Sequence, residues 1–170
     1  MKIKFQYIME LSHYLNSLIL LFIEPRLKDF YQMLAHHIIT ILLIVLSYHI
    51  NIIRYGIVIM VIHDCSDPFL ELAKLFFYLN KQKAADNAFM VFGIVFFISR
   101  MIIYPFAIMA PAGYFFCIYN KSSPIMVTCG ILMVMLLLIN IVWMCFIAKM
   151  AIGFMKKGKL EGDIREKNIK

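Results

Sequence analysis

Charge is the property that this 170-residue sequence has least of. Asp, Glu, Lys and Arg make up 16% of the chain, whereas apolar residues make up 63%. An ordinary soluble domain carries about 25% charged residues, so the composition excludes that class. The 17 basic residues outnumber the 10 acidic ones, but they cluster at the ends of apolar segments. This distribution indicates topology determinants and lipid headgroup contacts, and it argues against a nucleic-acid site.

Cysteine and histidine are also scarce, and their spacing excludes several kinds of site. The four cysteines form no CxxC pattern and no Cys/His pattern, so neither a disulfide framework nor a cysteine-based zinc site is expected. The five histidines include a single adjacent pair, which excludes a di-iron site because such sites need repeated histidine boxes. A zinc site of histidines and aspartates, as in a zinc-dependent lipid amidase, stays open.

Long apolar segments are what the sequence has in abundance. Five of them are long enough to be transmembrane helices, so the predicted fold class is an all-α polytopic membrane protein. The first segment has no small-residue cleavage site, so no cleaved signal peptide is expected. Basic connectors place the C-terminus in the cytosol by the positive-inside rule. The predicted domain covers 1–155 with spans at about 5–23, 30–50, 55–79, 87–108 and 125–154, and a charged tail covers 156–170.

The third span carries more charge than a lipid-facing helix tolerates. One charge at mid-membrane costs about 2.5–3.5 kcal/mol, so four cost about 10 kcal/mol or more. Because the charges recur at i, i+3, i+7 and i+10 on one helix face, we expect this face to point into a protein-lined or watery cavity. Pro68 lies inside the span and predicts a kink there. The charged residues are Asp64, Asp67, Glu71 and Lys74, of which the last two form an i, i+3 pair of opposite sign.

An adjacent histidine pair lies in the second span. Neighbouring residues on a helix point about 100° apart, so we expect one imidazole to face the cavity and the other to brace it. Histidine and aspartate on facing helices supply a general base, or an oriented imidazole nucleophile, for acyl chemistry. The candidates for this chemistry are His36 and His37 in the second span and His63, Asp64 and Asp67 in the third.

Other polar residues are candidates for lining the same cavity. Glu10 and His13 lie on one side of the first span, and Thr40 lies one turn after His36. Arg100 is the internal charge of the fourth span, and it is a candidate phosphate contact or an interfacial anchor. The predicted supporting residues are His63, Glu71, Lys74, Thr40, Glu10, His13 and Ser66.

These motifs resemble the signature of the ceramide synthases, within the TLC-domain superfamily. The pattern is HH-x-x-T from His36, R-x-G from Arg54, and H-D-x-S-D-x-x-L-E-x-A-K from His63. ELSHY in the first span, KDF before the histidine pair and LEGD in the tail also fit. The resemblance implies a barrel of six helices around a tunnel, preceded by a further helix. This family normally has two more helices before the first span, so the five spans correspond to most of the barrel, N-terminally incomplete.

The resemblance implies an enzyme of the endoplasmic-reticulum membrane that transfers a fatty acyl group from acyl-CoA to the amine of a sphingoid base. It implies acyl-CoA as co-substrate, with no further cofactor and no metal, so the candidate phosphate contact at Arg100 would be a contact to CoA. It implies essential roles for the histidine pair and for Asp64 and Asp67; direct attack and an acyl-imidazole route both stay open. A homo- or hetero-dimer with other TLC synthases is a further expectation. The alternative is a catalytically incomplete TLC-type protein that binds lipid or regulates a full-length synthase.

Overall fold

The computed structural model describes residues 2–25, 27, 29–119 and 124–157, with side chains at 4–25, 27, 29–114 and 124–155. Every regular element in these residues is a helix, which confirms the predicted all-α class. The predicted charged tail lies outside the described residues, apart from the backbone of 156–157. The elements are α1 Lys2–Ile23, α2 Phe30–His49, α3 Ile53–Asp64, α4 Asp67–Tyr78, α5 Gln82–Phe96, a π-helical segment Phe97–Met109, α6 Ala110–Tyr119 and α7 Pro124–Lys157.

Three helices in the described part of the chain are long and apolar enough to cross a membrane, by length and composition. They run over Phe30–His49, Gln82–Tyr114 and Pro124–Met155. The chain is therefore a multi-pass membrane protein. The predicted third span is divided between α3 and α4, which have 12 residues each, whereas a crossing helix needs about 20. That α1 and the α3–α4 pair also cross the bilayer stays a prediction.

The helices group into two compact units. Among the described residues, unit 1 comprises 2–58 and 111–139, and unit 2 comprises 59–110 and 140–157. The boundaries fall inside α3, inside α7 and after Ala110, the first residue of α6, so each of these three helices contributes to both units. The histidine pair of α2 belongs to unit 1, and the acidic residues of the third segment belong to unit 2.

Two asparagines end α2 and α4 in the same way. Asn51 and Asn80 have φ angles of 62° and 55°, the left-handed region that asparagine tolerates better than most residues. At the end of α2, the amide of Ile52 donates to the carbonyl of Ser47; at the end of α4, the amide of Lys81 donates to the carbonyl of Phe76. These are Schellman turns, which satisfy the last carbonyls of each helix. They fix where the chain turns back.

The third segment is interrupted rather than kinked. The chain leaves the helix after Asp64 and re-enters it at Asp67, with Pro68 in the first turn of α4. In a continuous helix, the Pro68 ring would meet the carbonyl of Asp64, and no amide would be there to bond it. At the start of a new helix, the missing amide is harmless. The expectation of one kinked helix is therefore wrong, because proline suits a helix start and not a helix interior.

Aromatic side chains form the core of unit 2. Phe89, Phe92 and Phe96 of α5 pack with Ala73 of α4 and Ile147 of α7. Their spacing of three and four residues places the three phenylalanines on one face of α5. This packing takes up one side of α4, and it holds the start of that helix near the π-helical segment that follows α5.

A polar contact closes α1 onto α2 in unit 1. The Tyr7 hydroxyl donates to the carbonyl of Ile53 at 3.1 Å and lies 3.0 Å from the Ser47 hydroxyl. Gly56 permits this contact, because a Cβ atom there would collide with the Tyr7 hydroxyl and lie 2.9 Å from Ser47 Oγ. The glycine of the R-x-G motif thus has a packing role.

Candidate active site

The histidine pair lies on the buried face of α2. His36 and His37 are 7% and 6% exposed, and Thr40, one turn further on, is 9% exposed. Both rings are buried in the structure, and that one of them faces a cavity while the other braces it stays a prediction. Burying a neutral imidazole costs much less free energy than burying a charged carboxylate or guanidinium. Burial of two neutral imidazole rings therefore costs little free energy.

Tyr14 of α1 contacts both imidazoles, although it is not among the predicted supporting residues. Its ring centroid lies 6.0 Å from that of His36 and 5.9 Å from that of His37, with edge-on angles of 61° and 62°. His13 lies on the other side of Tyr14 at 5.5 Å. Tyr14 is four residues after Glu10, so the same helical spacing that selected Glu10 and His13 also points to it.

One polar atom of the histidine pair and one of the neighbouring Thr40 are buried without a hydrogen-bond partner among the described residues. They are Nδ1 of His37 and Oγ1 of Thr40. Buried polar atoms are nearly always bonded, so each such atom calls for a reason, which at a reactive site is a role toward a ligand. Of the predicted α1 residues, Glu10 is half-buried and His13 is exposed.

A hydrogen-bonded network forms the polar centre of unit 2. His63 is 4% exposed, and its Nδ1 lies 2.9 Å from the carbonyl of Ile59. Its Nε2 lies 3.2 Å from Nδ2 of Asn140, which is fully buried. The imidazole also stands edge-on to the Tyr104 ring at 4.8 Å. Both ring nitrogens of His63 are therefore engaged.

The donors and acceptors of this network fix the state of His63. A carbonyl oxygen only accepts hydrogen bonds, so Nδ1 of His63 carries a hydrogen and donates it in a hydrogen bond to the Ile59 carbonyl. Arg100 Nη1 lies 3.5 Å from Oδ1 of Asn140, and a guanidinium only donates, so the amide oxygen must face it. The Asn140 amide group then faces Nε2 of His63, which accepts. His63 is a neutral imidazole with no nitrogen left for catalysis.

Arg100 joins the network to the interruption between α3 and α4. It is 5% exposed, and its Nη2 donates to the carbonyl of His63, to Ser66 Oγ at 3.3 Å and to Asp67 Oδ1 at 2.9 Å. Its carbon Cζ lies 4.7 Å from the centre of the Phe96 ring. Both terminal nitrogens of the guanidinium predicted to bind a phosphate thus have internal acceptors, whereas its Nε is buried with no hydrogen-bond partner among the described residues. The phosphate contact stays a prediction.

The predicted charged face of the third segment is not one continuous face. Asp64 is half-buried at the end of α3, and the Asp67 side chain is 55% exposed. Glu71 and Lys74 form the predicted ion pair at 2.9 Å, but their side chains are 70% and 42% exposed. The interruption changes the register between the helices, and α4 packs its apolar face on α5. The Glu71–Lys74 pair therefore lies on an exposed face of α4, not in a protein-lined interior.

The structure thus brings together four predicted residues in unit 2, namely His63, Ser66, Asp67 and Arg100. It adds Asn140 and Tyr104, which sequence reasoning missed. Asn140 was detectable, because it is a polar side chain within a long apolar helix, and such residues are rarely idle in a membrane. Among the described residues, no group of three or more His, Cys, Asp or Glu side chains is placed to hold a metal ion.

Comparison with known proteins identifies relatives along nearly the whole chain. The model of the TLC domain family matches residues 1–149. Ceramide synthase 4 of Bos taurus is 36% identical over 161 residues, which is 94% of this chain and 40% of the relative. Ceramide synthase LOH1 of Arabidopsis thaliana is 35% identical over 173 residues, which is 97% of this chain and 56% of the relative. The chain spans about half the length of these relatives or less.

Proposed function

This chain belongs to the TLC-domain family, and we propose that it carries out the acyl-CoA-dependent N-acylation of a sphingoid base to give (dihydro)ceramide. Ceramide synthases of animals and plants are similar to it over 94–97% of its length. The signature residues His36, His37, Asp64 and Asp67 are all present. They are the residues to which we assign the chemistry.

The buried histidine pair is the observation that carries this proposal. Two adjacent imidazoles lie on a helix apolar enough to cross a bilayer, and one of them has a ring nitrogen with no hydrogen-bond partner among the described residues. Apolar packing alone gives no reason for such an arrangement, since Leu or Phe would fill the volume without a buried polar atom. An imidazole nitrogen held away from water and from competing donors suits acyl transfer, because water would hydrolyse a reactive acyl group.

The proposed reaction forms an amide and releases a thiol. The amine nitrogen bonds to the thioester carbonyl carbon, the carbon–sulfur bond breaks, one proton leaves the amine, and the coenzyme A thiolate gains one. In the direct route, His36 or His37 takes the amine proton as general base. In the covalent route, an imidazole nitrogen first bonds to the acyl carbon as the coenzyme A thiolate leaves. The amine nitrogen then bonds to the same carbon, and the imidazole leaves. The carboxylates of Asp64 and Asp67 stabilise the positive charge that develops.

The proposed setting follows from the substrates. Both are amphiphiles with long apolar chains, so the bilayer delivers them, and the endoplasmic-reticulum membrane is the proposed location. The C-terminal tail is proposed to be cytosolic, on the basic side of the connectors. We propose acyl-CoA as co-substrate with no further cofactor, and association with another TLC synthase as a dimer.

The test is an acylation assay on the purified chain in proteoliposomes. The chain is given a fatty acyl-CoA and a sphingoid base, and the amide product is measured by mass spectrometry. We expect product from the parent chain and about a 10²–10⁴-fold lower rate from the variant His36→Ala plus His37→Ala. Equal rates in the two proteins would remove the histidines from the mechanism. Loss of activity with a chelator, together with stoichiometric bound metal, would instead support a zinc-dependent amidase.

The exposed Glu71–Lys74 pair favours a second candidate function. Charges on an exposed face of a membrane protein need a polar surface to cover them, and a full-length synthase is one such surface. In that case, the chain regulates the synthase or binds lipid without its own turnover. An inactive parent chain that co-purifies with a full-length synthase and changes its rate would support this candidate.

A further inference from the structure

We propose that Arg100 is a positioning residue for the acyl transfer. It holds the Asp67 carboxylate and the backbone at the interruption between α3 and α4 through Nη2, and Asn140 accepts a hydrogen bond from its Nη1. The inference rests on the proposed function, because Asp67 is one of the residues assigned to the chemistry. It assigns Arg100 an internal task in place of a contact with a substrate phosphate. All the residues concerned belong to unit 2.

The interruption creates the need for such a residue. When a helix ends, its last carbonyls lose their partners within the helix, and a buried end requires another donor. Arg100 Nη2 donates to the carbonyl of His63, in the last turn of α3. The same nitrogen reaches Ser66 in the turn and Asp67 at the start of α4. One guanidinium group thus contacts the chain before, within and after the interruption.

The shape of the side chain explains why arginine serves here. A guanidinium offers five donors in one rigid plane, whereas a lysine ammonium is a compact charge on a flexible stem. Nη2 points to the interruption, while Nη1 points to Asn140 on α7. The Cζ atom of Arg100 lies over the Phe96 ring, 4.7 Å from its centre, and Phe96 is four residues earlier in the chain. Contacts at its edges and on its face therefore fix the plane, and with it the side on which Asp67 is held.

Burial separates this task from binding of a phosphate. Arg100 is 5% exposed and Asn140 is fully buried, whereas the Asp67 side chain is 55% exposed. The exposed end of the Arg100–Asp67 pair is thus the carboxylate and not the cation. A ligand that approaches the pair meets the acid first. The arrangement presents a carboxylate of fixed direction, which suits handling of an amine or its proton.

The first test separates the two tasks by kinetics. Arg100→Lys keeps the charge but loses the planar fork, and Lys83→Gln removes an exposed charge from α5 as the matched control. If Arg100 positions Asp67, Arg100→Lys lowers kcat about tenfold or more while KM for acyl-CoA stays within about twofold. A phosphate contact would instead raise KM for acyl-CoA with kcat kept, and this result would overturn the inference.

The second test needs no activity, so it distinguishes failure of this inference from failure of the proposed function. Cys65 lies exposed in the interruption, and Cys145 lies exposed on α7. Two versions of the full chain, each keeping one of these cysteines, are labelled with N-ethylmaleimide in detergent. We expect Arg100→Gln to raise the labelling rate of Cys65 about tenfold and to leave that of Cys145 unchanged.

The outcomes of the labelling test are separate from those of the assay. Faster labelling at Cys65 alone supports the positioning of the interruption by Arg100, even when the parent chain forms no product. Absence of product would count against the proposed function only. An unchanged rate at Cys65 overturns the inference whatever the activity. Equal acceleration at both cysteines means general unfolding, and it also overturns a local hold. Asn140→Leu supplies the second variant, with the same local effect expected at a smaller size.

Discussion

The two histidine environments of this protein differ in what surrounds the rings. In unit 1, His36 and His37 pack against the edge of Tyr14, and Nδ1 of His37 has no hydrogen-bond partner among the described residues. In unit 2, His63 uses one nitrogen on the Ile59 carbonyl and the other on Asn140. A ring with an unused nitrogen can take part in chemistry, whereas a ring with both nitrogens engaged holds the structure.

The contrast follows from the charges nearby. A guanidinium buried in an apolar helix needs hydrogen-bond acceptors nearby, and the hydrogen bonds it donates fix the orientation of those acceptor groups. Arg100 therefore determines how Asn140 is oriented, and Asn140 in turn determines the tautomer of His63. In unit 1, the edge of the Tyr14 ring packs against both imidazoles of the pair. The charged network thus engages both ring nitrogens of His63, whereas Nδ1 of His37 has no hydrogen-bond partner among the described residues.

The largest expected effect comes from replacing one histidine of each kind. His37→Leu removes a proposed catalytic ring, so acylation falls about 10²–10⁴-fold, while the free energy of unfolding changes by less than about 1.5 kcal/mol because little more than volume is exchanged. His63→Leu leaves the Asn140 amide unpaired and lowers the free energy of unfolding by about 1–3 kcal/mol. Acylation rates and thermal unfolding in detergent measure the two effects.

His49→Leu is the matched control for both variants, because His49 lies exposed at the end of α2. It should alter neither rate nor unfolding temperature. If His63→Leu unfolds like the parent chain, the network does not hold unit 2 and the distinction between the two environments fails.

A smaller effect is expected from the packing of unit 1. Gly56→Ala places a Cβ atom against the Tyr7 hydroxyl and 2.9 Å from Ser47 Oγ. Overpacking of this kind lowers the free energy of unfolding by about 1–3 kcal/mol. Gly113→Ala is the control, because nothing lies within 4 Å of a Cβ atom there. Thermal unfolding measures both variants. Tyr7→Phe should recover part of the loss in Gly56→Ala, and no recovery would place the strain elsewhere.

The smallest effect is expected at the exposed ion pair. Glu71 and Lys74 are 70% and 42% exposed, so Glu71→Ala should change the free energy of unfolding of the isolated chain by less than about 0.5 kcal/mol. Asp67→Ala, which leaves the buried Arg100 without its carboxylate, is the comparison and should cost more. Equal losses in chemical denaturation would show that burial of the cation does not distinguish the two pairs.

Composition and spacing alone identified the all-α membrane class, the unusual polar residues of the second and third spans, and the Glu71–Lys74 pair. These properties depend on local chemistry: apolar length sets the membrane class, and helical spacing of three or four residues brings side chains together. Sequence reasoning did not find the interruption at Cys65–Ser66, although Pro68 indicated its position. The balance between a kink and a new helix depends on whether another side chain can bond the open end, and that donor lies 37 residues away at Arg100.

Residue type and position along the chain are therefore enough to identify which residues are unusual in a membrane. The role of each depends on its contacts in the folded chain. In unit 2, His63, Arg100 and Asn140 bond to one another or to the backbone beside them, and in unit 1 Tyr14 packs against the histidine pair. The physical reason is that a side chain's protonation and exposure depend on donors and acceptors brought from distant parts of the chain. Spacing along one helix does not contain that information.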